Sequence, residues 1–154
     1  MKFTLGVPAR FTFQPLVLAM AVVGCTAVPM RESVSTKDAP APIGPYSQAV
    51  KAGNLLFLSG QIAIDPKTNQ MTSGSIEDQT KQVLNNLDAV LKASGMSMEN
   101  VVNTIVFLKD VNDFGKMNAV YGTYFKDKPP ARATVQIARL PRDALIEISA
   151  IASK

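Results

Sequence analysis

The sequence of 154 residues predicts a single α+β domain, with one mixed β-sheet and two helices packed on one of its faces. Short apolar segments of strand type surround two longer segments whose apolar residues recur every three or four positions. The length is sufficient for one domain with a substantial core and too short for two domains of ordinary size. No internal repeat and no low-complexity segment interrupts this order.

The first two predicted strands form a hairpin. They cover residues 49–52 and 55–63, and Gly53-Asn54 supplies the turn between them. Residues 55–58 are all apolar, so both faces of this strand are expected to be covered. Residues 65–69 follow as a surface turn.

Two helices are predicted from their caps and their apolar spacing. The first begins with Ser75 as its N-cap, has acidic residues in its first turn and ends at Gly95. The second is capped by Asn112 or Asp113 and ends before Pro129. The predicted core positions of the first helix are Ile76, Thr80, Val83, Leu84, Leu87, Val90 and Leu91. Those of the second are Phe114, Met117, Val120, Tyr121, Tyr124 and Phe125.

Three further strands are predicted: residues 101–109, a strand that begins at Arg132 and a strand around Glu147. Ile146 and Ile148 flank Glu147, which therefore points away from their apolar face. Two of the predicted strands, with the apolar runs 55–58 and 105–108, are apolar on both faces, whereas two helices can cover only one. The sequence therefore predicts self-association.

The N-terminal part is divided into a leader (residues 1–32) and an extended connector (residues 33–45), so that the domain proper covers residues 46–154. In the leader, Lys2 and Arg10 precede an apolar run that is too short and too interrupted for a good membrane span. This layout is typical of a secretory signal. A transit peptide or a mis-assigned start is the alternative interpretation.

Val22-Val23-Gly24-Cys25 also resembles a bacterial lipobox, which would make Cys25 a lipidated first residue and the protein's link to a membrane. The leader thus predicts an exported protein, either periplasmic or lipid-anchored. A cytoplasmic or organellar location is the alternative.

Charge and composition exclude several classes of site. All twelve acidic residues lie at or after Glu32, so the formal net charge of +4 comes mainly from Lys2, Arg10 and Arg31, and no nucleic-acid partner is expected. The chain has one cysteine and no histidine, which rules out an intrachain disulfide and a Cys/His catalytic pair. Metal-ligand spacing is absent as well, so neither a metal nor a cofactor is expected.

Arg132 and Glu147 are the chemically most informative residues. Two prolines precede Arg132 and fix its place at the start of a strand, where its guanidinium can bind a carboxylate through two hydrogen bonds. The alternative is an ion pair across a subunit interface. Glu147, expected on a neighbouring strand, suits a general base if its surroundings raise its pKa, or else it is a solvated residue on an exposed face.

The resemblance to a known family rests on several short motifs. They are Gly44-Pro45-Tyr46-Ser47-Gln48-Ala49, Ser59-Gly60-Gln61, Asn112-Asp113-Phe114, Pro130-Ala131-Arg132-Ala133-Thr134-Val135, Ala138-Arg139-Leu140-Pro141 and Ile146-Glu147-Ile148. From about Thr36 to the C-terminus the sequence resembles the RidA (YjgF) family of reactive imine and enamine deaminases. This resemblance implies a chorismate-mutase-like fold and a homotrimer whose sheets pack around a central axis, with three clefts between subunits.

The resemblance also implies an activity, the hydrolysis of 2-imino acids or their enamine tautomers to 2-keto acids and ammonia (2-iminobutanoate/2-iminopropanoate deaminase). It makes Arg132 the carboxylate anchor and Glu147 the residue that directs water. The other residues that it places at the cleft are Tyr46, Ser59, Gly60, Asn118 and Thr134. Many relatives carry cysteine at the position of Thr134, so a thiol is not required for the reaction.

Each of these further residues also has a plain structural interpretation. Tyr46 could be a packed rim aromatic, Ser59-Gly60 a simple β-bulge and Asn118 a helix-to-loop hydrogen bond. Two other functions compete with the deaminase: a non-catalytic trimeric module that binds small carboxylates or acts as a stress holdase, and a ribonuclease. The near-neutral charge after Arg31 and the lack of histidine argue against the ribonuclease.

Overall fold

The computed structural model describes residues 31–154. Within this range the chain forms one six-stranded sheet and a separate two-stranded one. The strands are β1 (Glu32–Val34), β2 (Ala49–Ala52), β3 (Leu55–Gln61), β4 (Ile64–Asp65), β5 (Gln70–Met71), β6 (Val101–Leu108), β7 (Ala131–Gln136) and β8 (Ile146–Ser153). The helices are α1 (Ile76–Ala93) and α2 (Phe114–Tyr124).

The strand order of the main sheet is β1-β2-β3-β8-β6-β7. All neighbours are antiparallel except β6 and β7, which run parallel and are connected through α2. The predicted mixed sheet with two helices on one face is confirmed. Residues 32–34, at the predicted leader–connector boundary, pair with β2 as an edge strand, and the domain division itself stays a prediction.

Helix α1 begins and ends where its sequence predicts. The Ser75 hydroxyl accepts a hydrogen bond from the Asp78 backbone N–H (3.3 Å), and the Asp78 carboxylate accepts one from the Ser75 N–H (3.0 Å). This reciprocal pair satisfies two of the N–H groups that a helix start leaves without partners. After the C-cap Ser94, Gly95 adopts a φ of 68°, which glycine reaches without the steric penalty of a side chain.

The core lies between the sheet and the two helices. On β8 the residues Ile146, Ile148, Ala150 and Ala152 are buried against the helices and alternate with residues on the opposite face. That opposite face, called the open face below, carries Phe57, Ile105 and Val135, whose exposed fractions are 43%, 39% and 44%. No other described element covers these three side chains, in agreement with the prediction that two helices leave one apolar face of the sheet uncovered.

The structure corrects or refines three local predictions. Strand β3 ends at Gln61 rather than at Ala63. Asp113 occupies the N-cap position of α2, one of the two predicted, but its side chain makes no capping hydrogen bond. The Asp110 carboxylate instead accepts a hydrogen bond from the Asn112 N–H and caps the short 3₁₀ turn before the helix. Phe114, the first residue of α2, is 39% exposed and not part of the buried stripe of the helix.

Candidate functional site

Glu147 lies on the open face of β8, near the centre of the sheet. Its register partner on β6 is Phe107, and the buried Ile146 and Ile148 on either side hold it on this face. The side chain is half-buried, and this burial raises the pKa of Glu147 above its ordinary value of 4.5. The residue therefore combines access to solvent with a carboxylate that is more basic than an exposed one.

Gly60 provides the space that the Glu147 side chain occupies. A Cβ built at Gly60 would overlap the Glu147 carboxylate and lie 3.1 Å from Glu147 Cγ. The backbone of β3 is also irregular here, with a shift of register against β8 between Leu58 and Gln61. From the sequence, this glycine could allow the close approach of a ligand or form a β-bulge. The structure shows a further reason for it, because Gly60 lets β3 pass close beside Glu147.

A cleft of ≈ 340 Å³ opens beside this pair. It brings together four of the predicted residues, Tyr46, Ser59, Gly60 and Glu147. The other lining residues are Pro40, Ala41, Ile43, Gln48, Gln61, Ile62, Ile64 and Pro141. Most of these are apolar, which lowers the local dielectric and explains the desolvation of Glu147.

Two predicted cleft residues already have partners within the chain. The Ser59 hydroxyl donates to the Ser47 carbonyl (2.7 Å) and the Ser59 N–H donates to the Gln48 carbonyl (3.0 Å), so Ser59 anchors β3 to the segment before β2. The Tyr46 hydroxyl accepts a hydrogen bond from the Ile43 N–H (3.2 Å) while its ring stays exposed at the rim. Both residues thus shape the cleft wall.

Gln48 belongs to one of the family motifs, but the sequence predicted no role for it. Its buried amide accepts from the Thr36 N–H (2.6 Å) and donates towards the carbonyls of Thr36, Ala39 and Pro40. These bonds hold the predicted connector against the domain as one wall of the cleft. A glutamine next to a proline-rich segment gives no such signal in the sequence, because its partners come from a chain segment with no regular structure.

Arg132 lies elsewhere. It is on β7, the edge strand of the sheet, level with Thr104 of β6 and next to the helix-facing side, where its guanidinium carbon is 4.6 Å from the ring centre of Tyr121. A shallow depression joins Arg132 to Asn118 on α2. Thr134 follows two residues later, and its hydroxyl oxygen is buried without a hydrogen-bond partner among the described residues.

The expectation that Arg132 and Glu147 lie on neighbouring strands is wrong. Strand β6 runs between β7 and β8. Arg132 is level with Thr104 and Glu147 with Phe107, so the two residues are two strands and three positions apart, or roughly 14 Å between Cα atoms. Their side chains also belong to opposite faces of the sheet. Within one chain, the predicted site is divided into a Glu147 half and an Arg132 half.

No group of three or more potential metal ligands occurs among residues 31–154. In the same range, no helix is long and apolar enough to cross a membrane.

The sequence profile of the family described as Endoribonuclease L-PSP matches residues 36–154 of this chain. The chain belongs to this family, also known as RidA/YjgF. A RutC family protein of Pyrococcus horikoshii is 58% identical over 125 residues, which cover 81% of this chain and 99% of the relative. The mouse protein named 2-iminobutanoate/2-iminopropanoate deaminase is 49% identical over 123 residues, which cover 80% of this chain and 91% of the relative.

Solved structures of family members share the fold. The E. coli YjgF gene product has a TM-score of 0.77 at 43% identity, over 80% of this chain and 98% of that one. The structure of E. coli TdcF with bound serine has a TM-score of 0.77 at 39% identity, over 80% of this chain and 98% of the other. RidA/YjgF membership and the α+β fold, predicted from the sequence, are therefore confirmed.

The family matches correct the prediction of a signal peptide and of a lipoprotein anchored at Cys25. The mouse deaminase is matched over 91% of its own length by 80% of this chain, so the family similarity gives no support to an export signal or a lipid anchor. Residues 1–30, with Cys25, lie outside the described residues. The cellular compartment stays a prediction.

Proposed function

We propose that this RidA/YjgF protein hydrolyses 2-imino acids, or their enamine tautomers, to 2-keto acids and ammonia. The observation that carries the proposal is the Glu147 carboxylate, half-buried in an apolar cleft with a raised pKa and seated against a glycine that leaves it room. A carboxylate that is more basic than an exposed one is better suited to accept a proton from water. The name of the mouse relative, 49% identical, agrees with this chemistry.

The reaction consumes one water molecule and needs no nucleophile from the protein. Glu147 accepts a proton from water while the water oxygen bonds to the imine carbon. The π electrons of the C=N bond move to nitrogen, which takes up the proton that Glu147 accepted, so the carboxylate is restored. The C–N bond of the resulting carbinolamine then breaks, the hydroxyl proton moves to the departing nitrogen to give ammonia, and the remaining oxygen becomes the keto oxygen. Because 2-imino acids are already electrophilic, placing water and substrate correctly supplies most of the acceleration.

A carboxylate anchor for the substrate must come from a second copy of the chain in this proposal. Arg132 of the same chain is roughly 14 Å from Glu147 and on the other side of the sheet. The apolar open face, with Phe57, Ile105 and Val135, supplies a surface through which copies can pack. A homotrimer with three clefts between subunits would bring Arg132 and Asn118 of one copy to Tyr46, Gly60 and Glu147 of the next.

The test couples the purified protein to an amino-acid oxidase that releases 2-iminopropanoate, and measures keto-acid release. Glu147→Gln is nearly isosteric but cannot accept the proton, so turnover is expected to fall by about 10²–10⁴-fold with assembly intact. Arg132→Lys keeps the charge and loses the two-point fork, which is worth about 1.5–3 kcal/mol, or roughly tenfold to over a hundredfold in kcat/KM.

Matched controls are Glu99→Gln and Arg139→Lys, which make the same chemical changes at exposed positions outside the cleft. Both should retain wild-type turnover. Normal turnover by a correctly assembled Glu147→Gln protein would remove Glu147 from the mechanism.

A second candidate is a non-catalytic module that binds small carboxylates. The E. coli TdcF structure with bound serine, 39% identical, favours binding of this class of ligand. The two candidates differ in what they require: binding needs Arg132 alone, whereas hydrolysis needs Glu147 as well. A wild-type protein that binds serine or 2-oxobutanoate but accelerates the hydrolysis of no imine would support the binding module.

A further inference from the structure

We propose that Tyr121, together with Phe114, is a positioning residue that holds the Arg132 guanidinium against its ring and leaves N–H donors of the guanidinium available for a carboxylate ligand. The inference deepens the proposed function and rests on it, since Arg132 is taken as the carboxylate anchor. Its basis is the contact between one edge strand, β7, and one helix, α2.

The Arg132 guanidinium lies over two aromatic rings of α2. The guanidinium carbon lies 4.6 Å from the ring centre of Tyr121 and 5.6 Å from that of Phe114. Both distances are within the range of a cation–π interaction. No carboxylate within residues 31–154 forms an ion pair with Arg132.

Tyr121 is itself rigidly held. Its ring is buried and packs on Phe125 with 4.5 Å between ring centres. Its hydroxyl is 2.7 Å from the hydroxyl of the buried Thr104, and Thr104 is the residue level with Arg132 on the neighbouring strand. The ring is therefore fixed at both ends, on the same level of the sheet as the arginine that it supports.

An arginine held by aromatic rings differs from an ion-paired one in what it leaves available. An acidic partner would occupy the two parallel N–H groups of the guanidinium edge, which are the groups that bind a carboxylate in bidentate fashion. The Tyr121 and Phe114 rings neutralise no charge, and a guanidinium has five N–H donors, so donors remain for a ligand even where one of them approaches the Tyr121 hydroxyl. Burial raises the pKa of Tyr121, against the opposing effects of the Thr104 hydrogen bond and of the charge and hydrogen-bonding contact of Arg132, so the phenol is neutral at physiological pH. Arg132 keeps its charge unneutralised and its orientation restricted.

The experiment measures the Kd of 2-oxobutanoate, a 2-keto acid of the proposed product class, by calorimetry on the full-length protein. Tyr121→Leu fills the space without a ring face and is expected to raise Kd by roughly 5- to 30-fold. Tyr121→Phe keeps the ring and loses only the bond to Thr104, so it should restore most of the affinity. In turnover assays, KM should rise in Tyr121→Leu while kcat stays within about threefold of wild type, because Glu147 is untouched.

Tyr124→Leu is the matched control, since Tyr124 lies one turn further along α2, and its hydroxyl bonds to the Asn85 side chain rather than facing Arg132. It should bind 2-oxobutanoate like wild type. If Tyr121→Leu does not assemble, Phe114→Leu replaces it, because Phe114 is exposed at the helix start and its substitution is expected to leave the fold intact. A smaller rise in Kd is expected there.

Wild-type affinity in the ring-less variants, or an equal loss in Tyr124→Leu, would overturn this inference and leave the proposed function in place. If the wild type itself bound no 2-keto acid and hydrolysed no imine, the proposed function would fail, and the role given to Tyr121 would fail with it. Loss of kcat rather than a rise in KM in Tyr121→Leu would also contradict a role through carboxylate anchoring.

Discussion

At the scale of single residues, the pairing of Gly60 with Glu147 is the most constrained feature of the site. The two lie on adjacent strands, and the absence of a side chain at Gly60 is what lets the Glu147 carboxylate lie across β3. The overlapping atoms belong to the far end of a flexible side chain. A methyl group at Gly60 would therefore displace the carboxylate more readily than the backbone.

Gly60→Ala is expected to fold and to lose at least tenfold in turnover, because Glu147 must leave the position from which it reaches water. The measurement is keto-acid release together with the unfolding midpoint. Gly115→Ala is the control, since a Cβ there meets nothing within 4 Å. Unchanged turnover in Gly60→Ala would show that the observed position of Glu147 is not the reactive one.

The raised pKa of Glu147 predicts opposite effects of pH on activity and on stability. Its folded-state pKa lies above the unfolded value of 4.5 because burial disfavours the charged form. The ionised carboxylate therefore destabilises the folded protein at pH values above the folded pKa, and this cost disappears as the pH falls below 4.5. Turnover has the reverse dependence, because a general base must be ionised.

Glu147→Gln should consequently be more stable than wild type at pH 7, with a difference that vanishes near pH 4. Urea unfolding at a series of pH values measures this difference in stability. A pH–rate profile of the wild type measures the predicted loss of turnover as Glu147 is protonated. An equal stability of the two proteins at all pH values would contradict the desolvation of Glu147.

At the scale of secondary-structure elements, α1 is hydrogen-bonded to one wall of the cleft. Buried Asn86, in the middle of this helix, donates hydrogen bonds to the carbonyls of Ile62 (3.2 Å) and Ile64 (2.9 Å). Both residues line the cleft. These two hydrogen bonds fix this part of the cleft wall to α1.

Ser75→Ala removes the N-cap of α1 and should lower the free energy of unfolding by about 1 kcal/mol. Chemical denaturation of the variant measures the change, with Ser73→Ala, an exposed serine just before the helix, as the control. Because the cap lies outside the cleft, kcat/KM should remain at the wild-type level under native conditions. A loss below about 0.3 kcal/mol would mean that the Ser75 and Asp78 contacts are offset by solvation.

At the scale of the whole molecule, the open face and the divided site both depend on assembly. Ile105 lies in the middle of that face, level with Ser149 of β8 and Ala133 of β7. Ile105→Glu would place a charge where the proposed trimer packs. The folded variant is expected to sediment as a monomer and to lose turnover, while Ala119→Glu, on the exposed side of α2, remains assembled.

Sedimentation of the wild type as a monodisperse monomer at micromolar concentration would contradict both the proposed trimer and the proposed cleft between subunits. An Ile105→Glu protein that is monomeric but active would show that turnover does not require the trimer, even if the wild type forms one.

The sequence by itself determined the features that depend on neighbouring residues. Ser75 and Gly95 mark the ends of α1 because a cap and a left-handed glycine act within one turn of a helix. The alternation around Glu147 placed it opposite the buried isoleucines because successive side chains of a strand point to opposite faces. The family motifs identified the residues of the candidate site in the same local way.

Only the tertiary structure decided which of these residues meet. Strand order depends on pairing between distant segments, and the insertion of β6 between β7 and β8 separates Arg132 from Glu147 although they are close in sequence. The apolar spacing of α2 predicted Phe114 and Tyr121 as core, and Tyr121 is buried whereas Phe114 is exposed. Only the packing of α2 against β7 places both rings against Arg132. Gly60 likewise acquires its role from Glu147, on a strand that lies far from it along the chain. The partners of Gln48 are nearer, but they belong to a segment without regular structure that no periodicity marks. Periodicity specifies the face on which a side chain lies, and the packing of elements specifies what that face meets.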